Sequence, residues 1–446
     1  MDGHQAAPTR VLHRGATPPI AVAGDGVYLI DSTGRRYLDG SSGAAVCCLG
    51  HSHHAVIEAL TRQAQTLAYA HTGFFTTEAQ EQLAAALTDG APGDLTRVFF
   101  TSGGSEAMEA ALKIARQVAV EMGEPSRQKV IARRQSYHGA TLGALSVSGH
   151  VARREFYAPL LFPVRHIAPC YEYRNRAPDE SPEAYGLRVA DELESAIVEE
   201  GPGQVLAFVA EPVVGATLGC VTAVRGYFRR IRDICDRHGV LLILDEVMCG
   251  MGRCGDRFAC DHEGVAPDIL TLAKGLGAGY QPIGAVLVSE RIAEAIEAGS
   301  GSLRHGHTYS GHTTACAAAL AVQTAIRNEG LIEAVRARGV QLATGLRERL
   351  DGHPNVGDIR GRGLFMGLEF VADRTTKAPF PLAAGVAERV QRIAFDEGLL
   401  CYPGSGVADG REGDHILLAP PFTISESEVE RLLDMTLTAI TRALPR

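Results

Sequence analysis

No apolar run of about eighteen residues occurs anywhere in the sequence, which removes a transmembrane helix from consideration. The opening segment, Met1–Arg14, has neither a continuous apolar core nor a small-residue cleavage site, so it does not read as a secretory signal. Charge of one sign is not concentrated: the net value is −9 over 446 residues and the basic side chains are scattered. That distribution excludes the footprint of a nucleic-acid or membrane-surface binder. Cysteine is sparse, ten in 446, and several sit inside apolar runs (Cys47, Cys48, Cys316), so a disulfide scaffold is excluded. Reduced, buried thiols in a cytoplasmic protein are the expectation. Cys249, Cys254 and Cys260 lack a C-x-x-C pairing, and His51, His53 and His54 lack a second ligand group, so no metal site is expected. There is no G-K-[ST] string, which disfavours a nucleoside triphosphatase, and no internal repeat or low-complexity tract.

What is present is alternation. The length suits two or three packed units, and the fifty glycines gather at the ends of apolar runs. GDGVYLIDSTGRRYLDG reads as a hairpin turning at Asp31–Gly34, and helical spacing follows from His53, with Val56, Leu60, Ala64 and Leu67 on one face. Val98–Phe100 predict a strand, SGGSEA a turn, and Met108, Ala111, Leu112, Ala115 and Val118 the stripe of a helix. KVIAR, VLAFVAEP, LLILDEV, DILTLAKGLG and IGAVLVS extend the series, with a helix over GYFRRIRDICDRHG. Strands interleaved with helices imply an α/β fold with a mainly parallel sheet between helical layers. From Leu331 the pattern becomes α+β: helices over 334–350 and 383–397, the strand pair VGDIRGRGLFMGLEFV, then LLCYPG, HILLAPP and a helix from Ser425. The expected division is 1–60 and 331–446 forming a smaller domain, and 61–330 a larger one.

The chemistry gathers where strands end, since ligands of open α/β sheets sit at the carboxyl ends of strands. LLILDEV drives Asp245 and Glu246 to the end of a buried strand, where a carboxylate is expensive unless a cation meets it. Lys274 ends the next strand, at TLAKGLG; part-burial there lowers the amine's pKa and makes it a usable nucleophile. SGGSEA (102–107) offers free backbone N–H groups at a helix start, a phosphate cradle in physical terms, or simply a serine-capped turn. Together these three match the demands of pyridoxal phosphate: a seat for the phosphate, an amine for the aldehyde, and a carboxylate for the pyridine nitrogen. GMGRCG (250–255) matches G-x-G-x-x-G but is followed by no helical stripe, so a dinucleotide-dependent oxidoreductase is the weaker alternative.

Six motifs in order carry a resemblance over nearly the whole chain: TSGGSEAMEAALKIAR, SYHGATLGALSVSG, AEPVVGATLG, LLILDEVMCGMGRCG, LTLAKGLGAGYQPIGAV and HTYSGHTTACAAALA. The sequence resembles the class III (omega-type) pyridoxal-phosphate-dependent aminotransferases of the aspartate-aminotransferase-like fold type I. The resemblance implies a seven-stranded sheet in the large domain. It implies an amino group passed from an amino acid or amine to an oxo acid, such as pyruvate or 2-oxoglutarate, by way of pyridoxamine phosphate. It further implies that Lys274 is the Schiff-base lysine and proton shuttle, that Asp245 meets the pyridine nitrogen, and that Gly103, Gly104 and Ser105 hold the phosphate. Tyr137 and Val247 would cover the two ring faces, and Glu211 would lie near the phenolic oxygen or the substrate-binding arginine. Thr308 would reach the phosphate of a neighbouring subunit, making a homodimer or a dimer of dimers. Aminomutases, racemases and decarboxylases on the same scaffold, and a non-catalytic binder, are the alternatives; Lys274 with Asp245 argues against the last.

A substrate carboxylate calls for a forked guanidinium. Arg360, in DIRGRGL, sits where relatives carry theirs, with Arg362 beside it; Arg411, in ADGREGDH, is a second candidate, and a surface role remains open for both. Ala44 and Ala45 replace the bulky aromatic of some relatives, which predicts a roomier pocket on that side. Tyr280 and Gln281 either line the pocket or shape a turn.

Overall fold

The computed structural model describes residues 9–15 and 17–444, so the start of the Met1–Arg14 stretch lies outside the described residues. Seven strands form the main sheet: β1 (Leu95–Thr101), β2 (Lys129–Arg133), β3 (Arg165–Ile167), β4 (Val205–Ala210), β5 (Leu241–Asp245), β6 (Ile269–Leu272) and β7 (Gly284–Ser289). Their spatial order is β1-β7-β6-β5-β4-β2-β3. β7 pairs antiparallel with both β6 and β1, and the other pairings are parallel, so only β7 runs against the rest. β4 to β7 are buried at every position, as expected of strands covered on both faces. One apolar core lies on each side. Helix Gly104–Glu121 packs Met108, Ala111, Ala115 and Val118 onto one face; Leu112, expected in that stripe, is only half buried. Helices Pro182–Glu200 and Tyr227–His238 cover the other. Tyr227–His238 is bracketed by Gly226 and Gly239, both left-handed, as its sequence predicts.

The two ends of the chain share a core. Val27, Leu38, Leu49 and Val56 pack with Leu342, Phe370, Ile416 and Leu432. Tyr28–Asp31 and Arg36–Asp39 form the expected hairpin, whose turn is tied by Asp31 Oδ1 accepting from Thr33 and Arg35. A further strand, Ala21–Asp25, extends it on one edge, and Leu399–Leu400 joins it on the other in parallel. Val356–Arg362, Phe365–Phe370, Asp414–Leu418 and Tyr402–Ser405 make a separate antiparallel sheet. The last helix, Glu426–Ala443, starts from a capping box between Ser425 and Glu428.

Two expectations are corrected. The helix after His53 exists (His54–Thr66), but only Val56 of its apolar face is buried, while Ala64 and Leu67 are exposed. The helix expected over 383–397 is shorter, Val386–Glu397, preceded by a tight turn at Leu382–Ala384. GMGRCG packs as interior turn, with Arg253 buried and donating to the carbonyls of Leu364 and Pro420, so its glycines front no nucleotide site. The three neighbouring histidines part company: His51 pairs with Asp39, His53 with Glu329, His54 with Glu58. All ten cysteines are free, and nine of them are buried. No helix among the described residues is long and apolar enough to cross a membrane.

Candidate active site

The carboxyl ends of the parallel strands open onto one cavity of about 460 Å³. Ser102, Gly103, Gly104 and Ser105 follow β1, Tyr137 follows β2, Glu211 follows β4, Asp245 ends β5, and Ala273 and Lys274 follow β6; all of them line it. The strand sequences dictate this convergence, because each apolar run stops where the sheet surface meets solvent and a polar residue takes over.

The first turn after β1 is a cradle. Helix Gly104–Glu121 begins at Gly103 without a side-chain cap, so its leading N–H groups have no side-chain acceptor. The backbone is tightly approached here. A Cβ on Gly104 would stand 2.8 Å from Val247 Cγ1, and one on Gly139 would meet Ser105 Oγ at 2.7 Å. Gly139 also holds φ +142°, so glycine is required there on both counts. Ser105 Oγ accepts from Ala140 N–H at 3.0 Å, which fastens the cradle to the loop carrying Tyr137.

Asp245 is buried, and its carboxylate is oriented from two sides. Oδ2 accepts from His138 Nδ1 at 2.8 Å, and Oδ1 from Val247 N–H at 3.0 Å. His138 Nε2 is buried with no partner. Glu246, the adjacent carboxylate, points the other way: it accepts from Ala259 and Cys260 N–H, both at 2.7 Å, and burial pushes its carboxyl up to about 7. Backbone dipoles are therefore the partners of one carboxylate of the DE pair, and the cavity receives the other.

Lys274 has φ +46°, a left-handed conformation that costs a non-glycine residue about 1–3 kcal/mol and persists only when surroundings enforce it. Burial lowers its amine to about 8; Asp245 works against that shift and Arg153 reinforces it. Glu211 is buried, accepts from Tyr137 N–H at 3.3 Å and lies 3.7 Å from Arg133. Burial raises its carboxyl, opposed by His138 and Arg133.

Four of the residues singled out in the sequence stand off the cavity in this chain. Ala45 is buried against Val213 and Cys249, and its neighbours Ala44 and Val46 do the lining. Thr308 is exposed, its carbonyl accepting from Tyr69 Oη. Arg360 is fully engaged elsewhere. It donates to Asp358 and Glu369 at 2.9 and 2.6 Å and to the carbonyls of Gly219 and Leu218, and it stacks on Tyr171. Arg411 is exposed and grips Glu155 through two hydrogen bonds of 3.0 Å. Gln281 lines the cavity, whereas Tyr280 braces the loop at Gly50 and His53. His138 of SYHG reads from the sequence as structural, whereas the structure sets it against the Asp245 carboxylate. Arg153 is the residue that sequence reasoning passed over, since nothing in VARRE marks it.

The donor set fits pyridoxal phosphate on structural grounds: an uncapped helix start, an oriented carboxylate and a depressed amine meet in one cavity. The comparisons agree. The sequence family described as Aminotransferase class-III matches residues 12–440. An uncharacterized aminotransferase of Schizosaccharomyces pombe is 45% identical over 432 residues, covering 96% of this chain and 94% of that one. A thermostable (S)-enantioselective omega-transaminase from Thermomicrobium roseum superposes with a TM-score of 0.90 at 36% identity, covering 99% of this chain and 96% of that one. The omega-transaminase of Pseudomonas jessenii in complex with PMP does so with 0.89 at 33% identity, over 96% and 93% of the two chains. A strand order, a cavity and a full-length sequence match thus converge: this chain belongs to the class III aminotransferases, enzymes dependent on pyridoxal phosphate.

Proposed function

We propose that Lys274 is the attachment point of the cofactor and the base of the reaction, and that the donors and acceptors it serves carry a carboxylate. The observation that carries this reading is a buried amine, lowered to about 8, that lines the same cavity as the carboxylate of Asp245. An amine near 8 keeps a usable unprotonated share at neutral pH, so Lys274 Nζ can take the proton from the substrate Cα and return it. When bound, pyridoxal phosphate supplies the electron sink for the pair left on that carbon.

The surrounding residues hold and orient. The backbone of Gly103 and Gly104 with the Ser105 hydroxyl receives phosphate at a helix N-terminus. Asp245, fixed by His138 and Val247 N–H, would hold the pyridine nitrogen and keep it protonated. Tyr137 and Val247, which line the cavity, would cover the two ring faces and exclude water, and Glu211 would stand near the reacting end. Thr308 serves a second copy of the chain in a homodimer. The exposure of Phe74 (81%), Phe75 (68%) and Tyr309 (59%), the last next to Thr308, supports a partner on that face. Ten free thiols favour a reducing, cytoplasmic setting.

The test is the visible spectrum of the cofactor-loaded protein. Adding amino donors without acceptor should bleach the band, and pyruvate or 2-oxoglutarate should restore it. A band that no donor bleaches would contradict the proposed roles.

A further inference from the structure

We propose that Arg153 receives the substrate carboxylate and is thereby a specificity-determining residue of the cavity. The proposal rests on the aminotransferase reading of that cavity and goes beyond it by assigning a residue. Arg153 belongs to the single-turn helix Val151–Glu155, in the segment that returns from Tyr137, and its side chain lines the cavity. Its guanidinium carbon stands 4.6 Å from the centroid of the Tyr137 ring. A guanidinium stacked on an aromatic face has its plane fixed while its N–H fork stays free for a carboxylate.

That fork is unspent. Among the described residues Arg153 makes no hydrogen bond and has no carboxylate within ion-pair distance, which sets it apart from every other arginine considered for this task. Arg360 is saturated by Asp358, Glu369 and two carbonyls. Arg411 holds Glu155, and in doing so takes the carboxylate that shares a helix with Arg153. Glu211, the cavity carboxylate not committed to the pyridine nitrogen, is engaged by Arg133 and Tyr137 N–H.

The charge balance of the cavity points the same way. Its side-chain charges are Asp245, Glu211, Lys274, Arg153 and Arg14. Lys274 is the reacting group and Arg14 is exposed, so Arg153 is the half-buried cation left over. A substrate carboxylate entering between two buried carboxylates needs such a counter-charge. Arg153 and Lys274 line the same cavity, and the charge of the one is near enough to help lower the amine of the other.

The experiment uses cofactor-loaded wild type, Arg153→Gln and Arg153→Lys. Single-turnover bleaching is followed with alanine and 4-aminobutyrate and with their carboxylate-free counterparts, ethylamine and propylamine; recovery is followed with pyruvate. Arg153→Gln should weaken apparent binding of the amino acids and of pyruvate by about 10- to 150-fold, the range for losing a charge-assisted hydrogen bond. The cofactor content read from absorbance should stay within twofold. The simple amines should lose only what a raised Lys274 amine costs both donor kinds alike, so that the preference for amino acids over amines falls by the larger factor, and Arg153→Lys should fall between. Equal losses for both donor kinds, or unchanged discrimination between them, would overturn the proposal and return the task to another arginine. Loss of cofactor from Arg153→Gln would also overturn it and assign Arg153 to the phosphate. If wild type reacts with neither kind of donor, the aminotransferase reading itself fails, which the wild-type trace alone reveals.

Discussion

Gly104→Ala tests the cradle and the ring-face assignment at once. The added Cβ would lie 2.8 Å from Val247 Cγ1, 3.1 Å from Cγ2 and 3.5 Å from Ala273 Cβ. Carbon atoms rest at about 3.5–4.0 Å, so Val247 must retreat by roughly 0.7 Å, or the helix start must lift away from it. Overpacking of this size costs about 1–3 kcal/mol, and the site can relieve it only by moving a ring-face residue or the phosphate seat. Either movement falls on the cofactor. Its affinity, measured by absorbance titration of the cofactor-free protein, should drop about 5- to 150-fold. Val247→Ala removes both offending methyls, at its own cost in ring contact. In a double-mutant cycle the two changes should therefore couple favourably, with Gly104→Ala costing at least about 1 kcal/mol less in the Val247→Ala background. Wild-type affinity in Gly104→Ala, or strict additivity in the cycle, would refute the reasoning that Gly104 and Val247 enclose the cofactor from adjoining sides.

Two further expectations concern stability. Burial alone pushes the Glu369 carboxyl up, but Arg360 and Arg174 hold it below the usual range; Glu369→Gln leaves Arg174 without a carboxylate and Arg360 with Asp358 alone, and should cost about 3–5 kcal/mol in urea unfolding. A cost under 1 kcal/mol would mean that this network is not a structural tie. His51 is raised to about 9: burial works against the charge, and Asp39 and Cys47 outweigh it. A histidine raised above its unfolded value contributes stability that is complete below about pH 6.5 and lost as pH climbs through 9. The span is about 3 kcal/mol unscreened and nearer 1–2 kcal/mol after solvent screening, and His51→Gln should flatten that slope in pH-dependent unfolding.

Much of the fold is legible because its strands are uniform apolar runs ended by polar residues, a pattern that burial on both faces imposes. LLILD and ILTL need no context to be read. Arg165–Ile167 is different: three residues with two polar side chains at a sheet edge carry no period, and only pairing with β2 makes them a strand. Ala64 and Leu67 follow helical spacing correctly yet stay exposed, because spacing reports an apolar face without saying what covers it. The site divides in the same way. Asp245, Lys274 and the SGGSEA turn are marked by their place at strand ends. Arg360 lies in the strand Val356–Arg362, and Glu369, which binds both it and Arg174, is brought to them by pairing between distant segments. Arg153 stands in an unpatterned stretch, and its reach to the cavity depends on a stacking contact that no spacing encodes.

The claim on which the rest depends is that Lys274 holds the cofactor. The chain has only four lysines: Lys113, Lys129, Lys274 and Lys377. Lys129 pairs with Glu200, Lys377 lies over Tyr173, and Lys274 alone of the four lines the cavity. Borohydride reduction of the loaded protein, followed by peptide mass mapping, should place one pyridoxyl phosphate on the peptide containing Lys274 and none on the other three. Label on Lys113, Lys129 or Lys377, or none on Lys274 at full cofactor occupancy, would contradict the account.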